Sequence, residues 1–382
     1  MDFAAFEDSP SGHLIGTTHG QRAFVPNPLP PELDASALMV DLGATMQAIG
    51  NLNGIGRRLT NPLMIIRPLQ RREALTSSSM EGTHASPDEL VLLEAGAEQP
   101  GDEAAHEVLN YIRALENAVS SLPNLPISHR MVREAHATLL SGLSQFRGAN
   151  KLPGDFKIHQ NFIGGKSIEQ ARFIPTPPGE TQRCLDELEL YINSESSLPP
   201  IIDAALVHYQ FETIHPFADG NGRVGRMLIP VFLMSKGVLD VPLLYISPYI
   251  EEHKDEYIDR MYEVSSRGDW TGWIKFFLRT VHESCAETTR TIDSLLALQQ
   301  DYRSRALDAG RSPTATKIVD YLFERPVISI PDAASIAGVT YPPAAAAVNK
   351  LVKAGILREY PATTQPKRFI AAEIVLISAG QR

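Results

Sequence analysis

Twelve residues near the middle of the chain, His215-Pro216-Phe217-Ala218-Asp219-Gly220-Asn221-Gly222-Arg223-Val224-Gly225-Arg226, separate two helical patterns. One pattern ends at Ile214; the other carries Met227, Leu228, Ile229, Val231, Phe232 and Leu233. A Gly-rich polar loop that opens straight into an apolar helix commits this stretch to packed helices and sets a helix N-terminus at the loop. Gly220, Gly222 and Gly225 let backbone N–H groups approach a ligand with no Cβ in the way. The helix N-terminus adds aligned donors and a partial positive charge, which suits phosphate. Arg223 and Arg226, three apart on that helix, can converge on one anion with fork geometry matched to phosphate oxygens. Asp219 offers a hard oxygen ligand beside the same nest, as Mg²⁺ sites shared with substrate phosphates need. His215 titrates near neutrality and can take a proton from a hydroxyl.

Rival chemistries fail on spacing. Gly164-Gly165-Lys166-Ser167 looks like the end of a Walker A loop, but the position five before Gly165 is Gln160 rather than glycine. Neither a Gly-x-Ser-x-Gly elbow nor a His-Glu-x-x-His pair occurs, which argues against a serine hydrolase or zinc protease. The two cysteines, Cys184 and Cys285, exclude a disulfide scaffold and a cysteine-built zinc site.

Around the central string the periodicity predicts a mainly α-helical protein. Residues 1–35 are rich in Pro and Gly and read as an extended arm, which Phe3, Phe6, Leu14 and Phe24 would hold against the folded body. Helical spacing starts with Leu38, Leu42, Met46, Ile49 and Leu52. It resumes after Pro68 to about Met80 and again from Glu103 to Ser120. From Phe146 to Pro178, Gly and Pro punctuate short runs, predicting a β-hairpin or flap with Gly164-Gly165 at or near its turn. Helices are expected over 180–194, 202–214, 221–235, 255–264 and 270–281. A further one from Leu295 to Ala309 stops at Gly310.

The formal net charge is −10 over 382 residues, which argues against a chain coated in nucleic acid. Residues 311–382 nonetheless carry nine Lys+Arg against five Asp+Glu, a charge step that marks a boundary near Gly310. The expected division is an N-terminal arm and helical region (1–120), a catalytic core (121–285), a helical linker (286–310) and a C-terminal domain (311–382). No apolar run approaches the roughly 20 residues of a membrane helix, and the N-terminus lacks the features of a signal peptide. The expectation is a cytoplasmic protein without membrane contact.

The central string resembles the signature of the Fic (Fic/Doc) family, His-x-Phe-x-Asp/Glu-Gly-Asn-Gly-Arg-x-x-Arg, at every specified position. Asp155-Phe156, Gln160-Asn161-Phe162-Ile163-Gly164-Gly165 and Ala171-Arg172-Phe173-Ile174-Pro175 resemble that family's substrate flap. Ser247-Pro248-Tyr249-Ile250, Tyr257 and Gly268-Asp269-Trp270 resemble its usual continuation. The resemblance implies a Fic helical core with a β-hairpin flap, formed by Phe162, Ile163, Gly164 and Gly165. The implied reaction is transfer of AMP from ATP to a Ser, Thr or Tyr hydroxyl of a target protein, self-modification included. His215 would deprotonate the hydroxyl, and Asp219 would hold Mg²⁺. Asn221 and Arg223 would grip the α- and β-phosphates, and Arg226 the γ-phosphate. Gly220, Gly222, Val224 and Gly225 complete the phosphate loop, Gly222 keeping room for the usual ATP pose, and Tyr257 is the candidate for the adenine pocket.

Ser77-Ser78-Ser79-Met80-Glu81-Gly82 resembles the family's inhibitory helix, Ser/Thr-x-x-x-Glu-Gly/Asn. Ser77 and Glu81 share one helix face, and Gly82 ends the helix so that Glu81 projects from its last turn. A carboxylate at a helix C-terminus is unfavourable, which points to a cationic partner, with Arg226 the natural one. The resemblance implies autoinhibition by Glu81, which in some relatives also removes AMP.

The C-terminal segment reads as helices over 314–323, 331–337 and 342–354, then two strands at 355–360 and 367–370. This order resembles a winged helix-turn-helix. Its third helix begins Tyr341-Pro342-Pro343-Ala344-Ala345-Ala346-Ala347, with no side chain able to read base edges before Asn349. That composition argues against sequence-specific DNA binding and for homodimerisation or target docking. A second reading makes the chain a winged-helix regulator whose Fic core senses nucleotide with little turnover; the intact His215 favours the enzyme.

Overall fold

A computed structural model describes residues 1–17, 20–97, 102–145, 147–310, 312–361 and 366–380. Phe146, the first residue of the expected flap segment, and Arg311 and Arg382 of the basic tail lie outside the described residues. The chain is 62% helix and 5% strand, so the mainly α class holds. In order come β1 (Gly12–Gly16), β2 (Arg22–Pro26), α1 (Met39–Gly56), α2 (Leu63–Ser79), α3 (Pro87–Glu94), α4 (Glu103–Ser121) and α5 (His129–Leu139). They are followed by α6 (Pro178–Asn193), α7 (Pro200–Ile214), α8 (Asn221–Ser235), α9 (Ser247–Glu252), α10 (Lys254–Arg267) and α11 (Trp270–Asp308). The chain continues through α12 (Pro313–Leu322), β3 (Val327–Ser329), α13 (Ile330–Ala337), α14 (Tyr341–Lys353), β4 (Arg358–Glu359), β5 (Arg368–Ile370) and α15 (Ala372–Ser378). Backbone contacts divide it into two units, residues 1–54 with 110–285, and residues 55–109 with 286–382.

The first unit is organised around α7. Proline in its first turn pre-sets the helical φ. Every residue from Ile201 to Ile214 is buried, as befits a helix apolar on nearly all sides. Several of its polar groups are matched by neighbours: Trp273 Nε1 donates to Ala205 O (2.9 Å), and Tyr209 Oη meets Ser265 Oγ (2.7 Å). Gln210 Nε2 donates to Asn27 O (2.9 Å). The N-terminal arm is a β-hairpin rather than merely extended, with Gly12 opposite Pro26 and Gly16 opposite Arg22. Phe6 and Phe24 leave it for a ring cluster with Phe173 and Tyr262, centroids 5.2–6.0 Å from Phe6.

The expected flap is a loop whose two limbs meet at one antiparallel bridge, Ile163 to Phe173, rather than a strand ladder. A 3₁₀ turn, Ile168–Gln170, and positive φ at Gly164 (70°) and Gly165 (82°) take up the residues between. Two other expectations shift. Pro68 lies inside α2, where it forfeits one backbone donor while Ile65 and Leu69 beside it stay buried. The patterns over 270–281 and 295–309 join into α11, because no Gly or Pro occurs between Trp273 and Asp308 to stop the helix.

In the second unit β5 is the middle strand of an antiparallel sheet ordered β3-β5-β4, pairing Val327 with Ile370 on one side and Glu359 with Phe369 on the other. Val91 and Leu92 of α3 pack with Val327, Ile370 and Val375 in one core. The buried Arg71 of α2 ties to Glu94 Oε2 (2.7 Å) and to the carbonyl of Glu324 (2.5 Å).

Candidate active site

His215 closes α7 in the left-handed region (φ 52°, ψ 59°), a conformation that costs a non-glycine residue about 1–3 kcal/mol and persists only where surroundings over-determine it. They do so here. Its own N–H caps Phe211 O (2.9 Å), and the four consecutive carbonyls from Ile214 to Phe217 each accept from the flap side. Ile214 O accepts from Lys157 Nζ (3.1 Å), His215 O and Phe217 O from Asn161 Nδ2 (3.1 and 2.9 Å), and Pro216 O from Lys157 N (2.8 Å). Lys157 Nζ also donates to Asn161 Oδ1 (2.9 Å). Burial lowers this amine to about 7, yet either protonation state retains the two donors used.

The imidazole of His215 remains partly exposed, its side chain 20% accessible. Its Nδ1 faces Glu212 O at 3.2 Å, with the buried Glu212 carboxylate 3.9 Å away. A proton on Nδ1 donated to that carbonyl makes Nε2 the basic nitrogen. This is the arrangement a general base requires.

Beyond His215 the loop turns on Phe217, whose ring is wholly buried. Asn221 spends its side chain here: Oδ1 accepts from Phe217 N (2.7 Å) and Nδ2 donates to Phe217 O (2.9 Å). These two bonds brace the Phe217 backbone against the start of α8. Gly220 is the N-cap of α8 at φ 76°, where a side chain would be strained and would crowd Leu139 and His136. Asp219 is half exposed; Oδ1 accepts from Gly220 N (2.6 Å) and lies 3.7 Å from Arg223 Nη2, while Oδ2 lies 3.8 Å from Lys151 Nζ. Arg223 and Arg226 are both buried in the first turns of α8, Gly222 is half-buried beside them, and Val224 faces the core. The N–H of Val224 is already bonded to Gly220 O (3.1 Å), so it is not an anion donor.

Glu212 and Gly225 fit each other. A Cβ built on Gly225 would stand 2.1 Å from Glu212 Oε1, so any side chain there would have to displace the buried Glu212 carboxylate. Tyr257 lies in the core rather than in an open pocket. It is 8% exposed, and its hydroxyl is bonded to His208 Nε2 (2.9 Å). His208 Nδ1 in turn meets Gly225 O (3.2 Å), and burial, helped by the Arg226 charge, lowers this histidine to about 3. In the flap, Phe162 is 38% exposed and Gly164 and Gly165 are exposed.

The residues missed in the sequence are Lys157, Asn161, Glu212 and His136. Each acts on the loop from outside the signature, and nothing in composition separates a buried Lys or Asn from a solvated one. Asp219 presents a half-exposed carboxylate at the loop; among the described residues there is no group of three His, Cys, Asp or Glu that could hold a metal ion. No helix among them is long and apolar enough to cross a membrane.

Ser77, Glu81 and Gly82 belong to the second unit. Gly82 (φ 84°) closes α2 with the two hydrogen bonds of a Schellman motif, Thr83 N to Ser78 O (3.0 Å) and Gly82 N to Ser79 O (2.9 Å). Ser77 is buried and Glu81 exposed at that end.

The family model described as Fic/DOC family matches residues 126–233, and that described as Fic/DOC family N-terminal matches residues 39–120. The protein adenylyltransferase Fic of Drosophila virilis is 30% identical over 187 residues, 48% of this chain and 34% of that protein. Its counterpart in Aedes aegypti is 28% identical over 195 residues, 50% of this chain and 34% of that protein. The chain thus spans about a third of the length of these curated relatives. A solved Fic family protein from Desulfovibrio desulfuricans superposes with a TM-score of 0.58 at 17% identity, covering 90% of this chain and 98% of the other. A Fic domain containing signaling protein from Bacteroides thetaiotaomicron gives 0.52 at 20% identity, covering 65% and 95%. At these identities the structural likeness is one of fold.

Proposed function

From the premise that the chain belongs to the Fic/DOC family, we propose that it transfers AMP from ATP to a side-chain hydroxyl of a target protein. The observation that carries this reading is the placement of His215 one loop before the N-terminus of α8, with Nδ1 turned to Glu212 O so that Nε2 is the basic nitrogen. The hydroxyl oxygen of a Ser, Thr or Tyr attacks the α-phosphorus, and its proton passes to His215 Nε2. The bond from the α-phosphorus to the bridging oxygen breaks, and pyrophosphate leaves. The backbone N–H groups opening α8, with Arg223 and Arg226, hold the triphosphate in line. Asp219 is the residue that would hold Mg²⁺, which is commonly bound by one or two carboxylates plus substrate phosphates; the ion would offset charge on the phosphates. The same chemistry modifies the chain's own hydroxyls where they reach the site.

The Ser77–Gly82 turn is read as a restraint on that transfer, with removal of AMP as a second role. Its support is the family's motif and a carboxylate kept at the negative end of α2, where the helix macrodipole disfavours it. The arrangement of α12 to α14 with the β3-β5-β4 sheet supports a winged-helix reading of the C-terminal segment. Tyr341, Pro342 and Pro343 are exposed at the start of α14, which favours protein docking over base reading.

The test is transfer from α-labelled ATP by the wild type and by His215→Ala. Loss on the order of 10²–10⁴-fold with nucleotide binding retained is the expected result. Label arriving from the γ position would mean phosphoryl transfer, and binding without any transfer by the wild type would mean a nucleotide sensor; either overturns the proposal.

A further inference from the structure

The geometry points to Lys157 and Asn161 as a positioning pair that holds His215 in its working conformation. The inference rests on the role of His215 proposed above. Four consecutive carbonyls, those of Ile214, His215, Pro216 and Phe217, turn toward the flap side of the site. Two residues of that segment take all four.

Their shares differ. Asn161 spans the turn, its one amide nitrogen bonded to the carbonyls on either side of Pro216. Lys157 meets the last carbonyl of α7 with its amine, where a cation or strong donor is favoured by the helix macrodipole, and fixes Pro216 through its backbone. The Lys157 amine also holds the Asn161 side-chain oxygen, which sets the amide so that its nitrogen faces the loop. Lys157 is 4% exposed, so its stem is packed and its reach is fixed.

The clamp lies directly beside the flap. Ile163, two residues after Asn161, makes the bridge to Phe173, with Ile163 N donating to Phe173 O (2.9 Å). The segment that would receive the target and the loop that carries the base are therefore tied by the same short stretch of chain. Neither residue touches the reacting atoms; Asn161 acts through the carbonyl of His215 and Lys157 through those of the flanking Ile214 and Pro216.

The test uses the full chain with Asn161→Ala, Asn161→Asp and Lys157→Met. Asn161→Asp keeps the shape and the oxygen facing Lys157 but removes the donor to both carbonyls. Asn161→Ala and Asn161→Asp should each lower kcat for AMP transfer by roughly 10²-fold with ATP affinity unchanged, as expected when only the base is displaced. In a His215→Ala background the same changes should cause no further loss, because the clamp then has no base to position. A purely structural role would lower the residual rate again by a similar factor, and would overturn the inference. So would a raised KM for ATP with kcat intact. Lys157→Met preserves packing and should show the same pattern more weakly, which covers the case in which either Asn161 variant does not fold.

A second readout separates this inference from the activity itself. The ¹⁵N resonances of His215 report its tautomer, and in Asn161→Ala they should lose the Nδ1-protonated pattern. Unchanged resonances would overturn the clamp even if transfer were confirmed. A wild type without transfer, whose resonances nevertheless shift in Asn161→Ala, would overturn the reaction and uphold the clamp.

Discussion

The imidazole of His136 lies flat on the ring of Phe217, with centroids 3.8 Å apart and planes 10° from parallel. The same histidine accepts from Gly154 N at Nδ1 (2.9 Å), so its proton sits on Nε2 and is donated to Asp219 O (3.0 Å). One neutral side chain of α5 thus braces the signature loop on its apolar and its polar side. Phe217→Ala should cost about 3–5 kcal/mol of stability, read from urea unfolding. His136→Phe keeps the stacking but leaves the buried Gly154 N–H and the Asp219 carbonyl without this partner, at about 1–3 kcal/mol for each group left unsatisfied. A small loss for Phe217→Ala, about 0.5 kcal/mol or less, would show that the ring does not anchor the loop.

Two buried histidines also make stability depend on pH. Desolvation lowers His136 to about 4 and His208 to about 3, below the ordinary value near 6.5. The unfolded chain therefore binds more protons than the folded one below pH 6.5. Stability contributed by the neutral forms is complete above that pH and is lost as pH falls toward 4 and 3. Each group contributes a slope of about 1.4 kcal/mol per pH unit within its window. His208→Gln, which keeps a donor and an acceptor but cannot titrate, should remove one such slope between pH 6 and about 4.5. Parallel stability curves for the variant and the wild type over that range would contradict the assignment.

Gly225→Ala reverses a familiar sign. Alanine in a helix interior normally gains about 1 kcal/mol over glycine. Here the added Cβ would stand 2.1 Å from Glu212 Oε1 and 3.1 Å from Phe211 Cδ1, so the substitution should destabilise. Glu212→Ala removes the obstructing carboxylate, and the double variant should recover part of the loss in a double-mutant cycle. Simple additivity would mean that the two residues do not share the space.

How much of this was legible in advance follows from distance along the chain. The signature and the α8 boundaries, 221–235, were readable because their chemistry is contiguous: glycines, arginines and an apolar run inside one window. Lys157, Asn161 and His136 were not, since each reaches the loop from 54 to 83 residues away and looks like any other polar residue locally. Position alone marks Tyr257 in the sequence, and position does not reveal that its hydroxyl is bonded to His208. The flap's turn was visible in its glycines, but a single bridge and a ladder have the same local sequence. The hairpin of β1 and β2 was obscured because Pro and Gly suggest extension without saying what pairs across it. A side chain at a helix start can face a ligand or the loop behind it, and the local sequence does not reveal that Asn221 bonds both backbone groups of Phe217.

The last prediction joins the C-terminal segment to Glu81. Within the second unit, Val91 and Leu92 of α3 are buried against Val327, Ile370 and Val375, and the guanidinium of Arg71 in α2 is held by the carbonyl of Glu324. Asp88 adds an ion pair with Arg358 (3.3 Å). Deleting residues 311–382 should therefore uncover that apolar core and remove a partner of a buried cation, both of which weaken α2 and α3. Glu81 stands at the end of α2, so a restraint that depends on its placement should weaken with the helix. Glu81→Gly should raise AMP transfer, and the truncated chain should do so as well, with the two changes combined giving little beyond either alone. Hydrogen exchange should show faster amides over 63–94 in the truncated chain. If those amides stay protected, the shared core is not what holds α2. If Glu81→Gly alters neither transfer nor release of AMP from a pre-modified target, the turn from Ser77 to Gly82 is a helix terminus and no more.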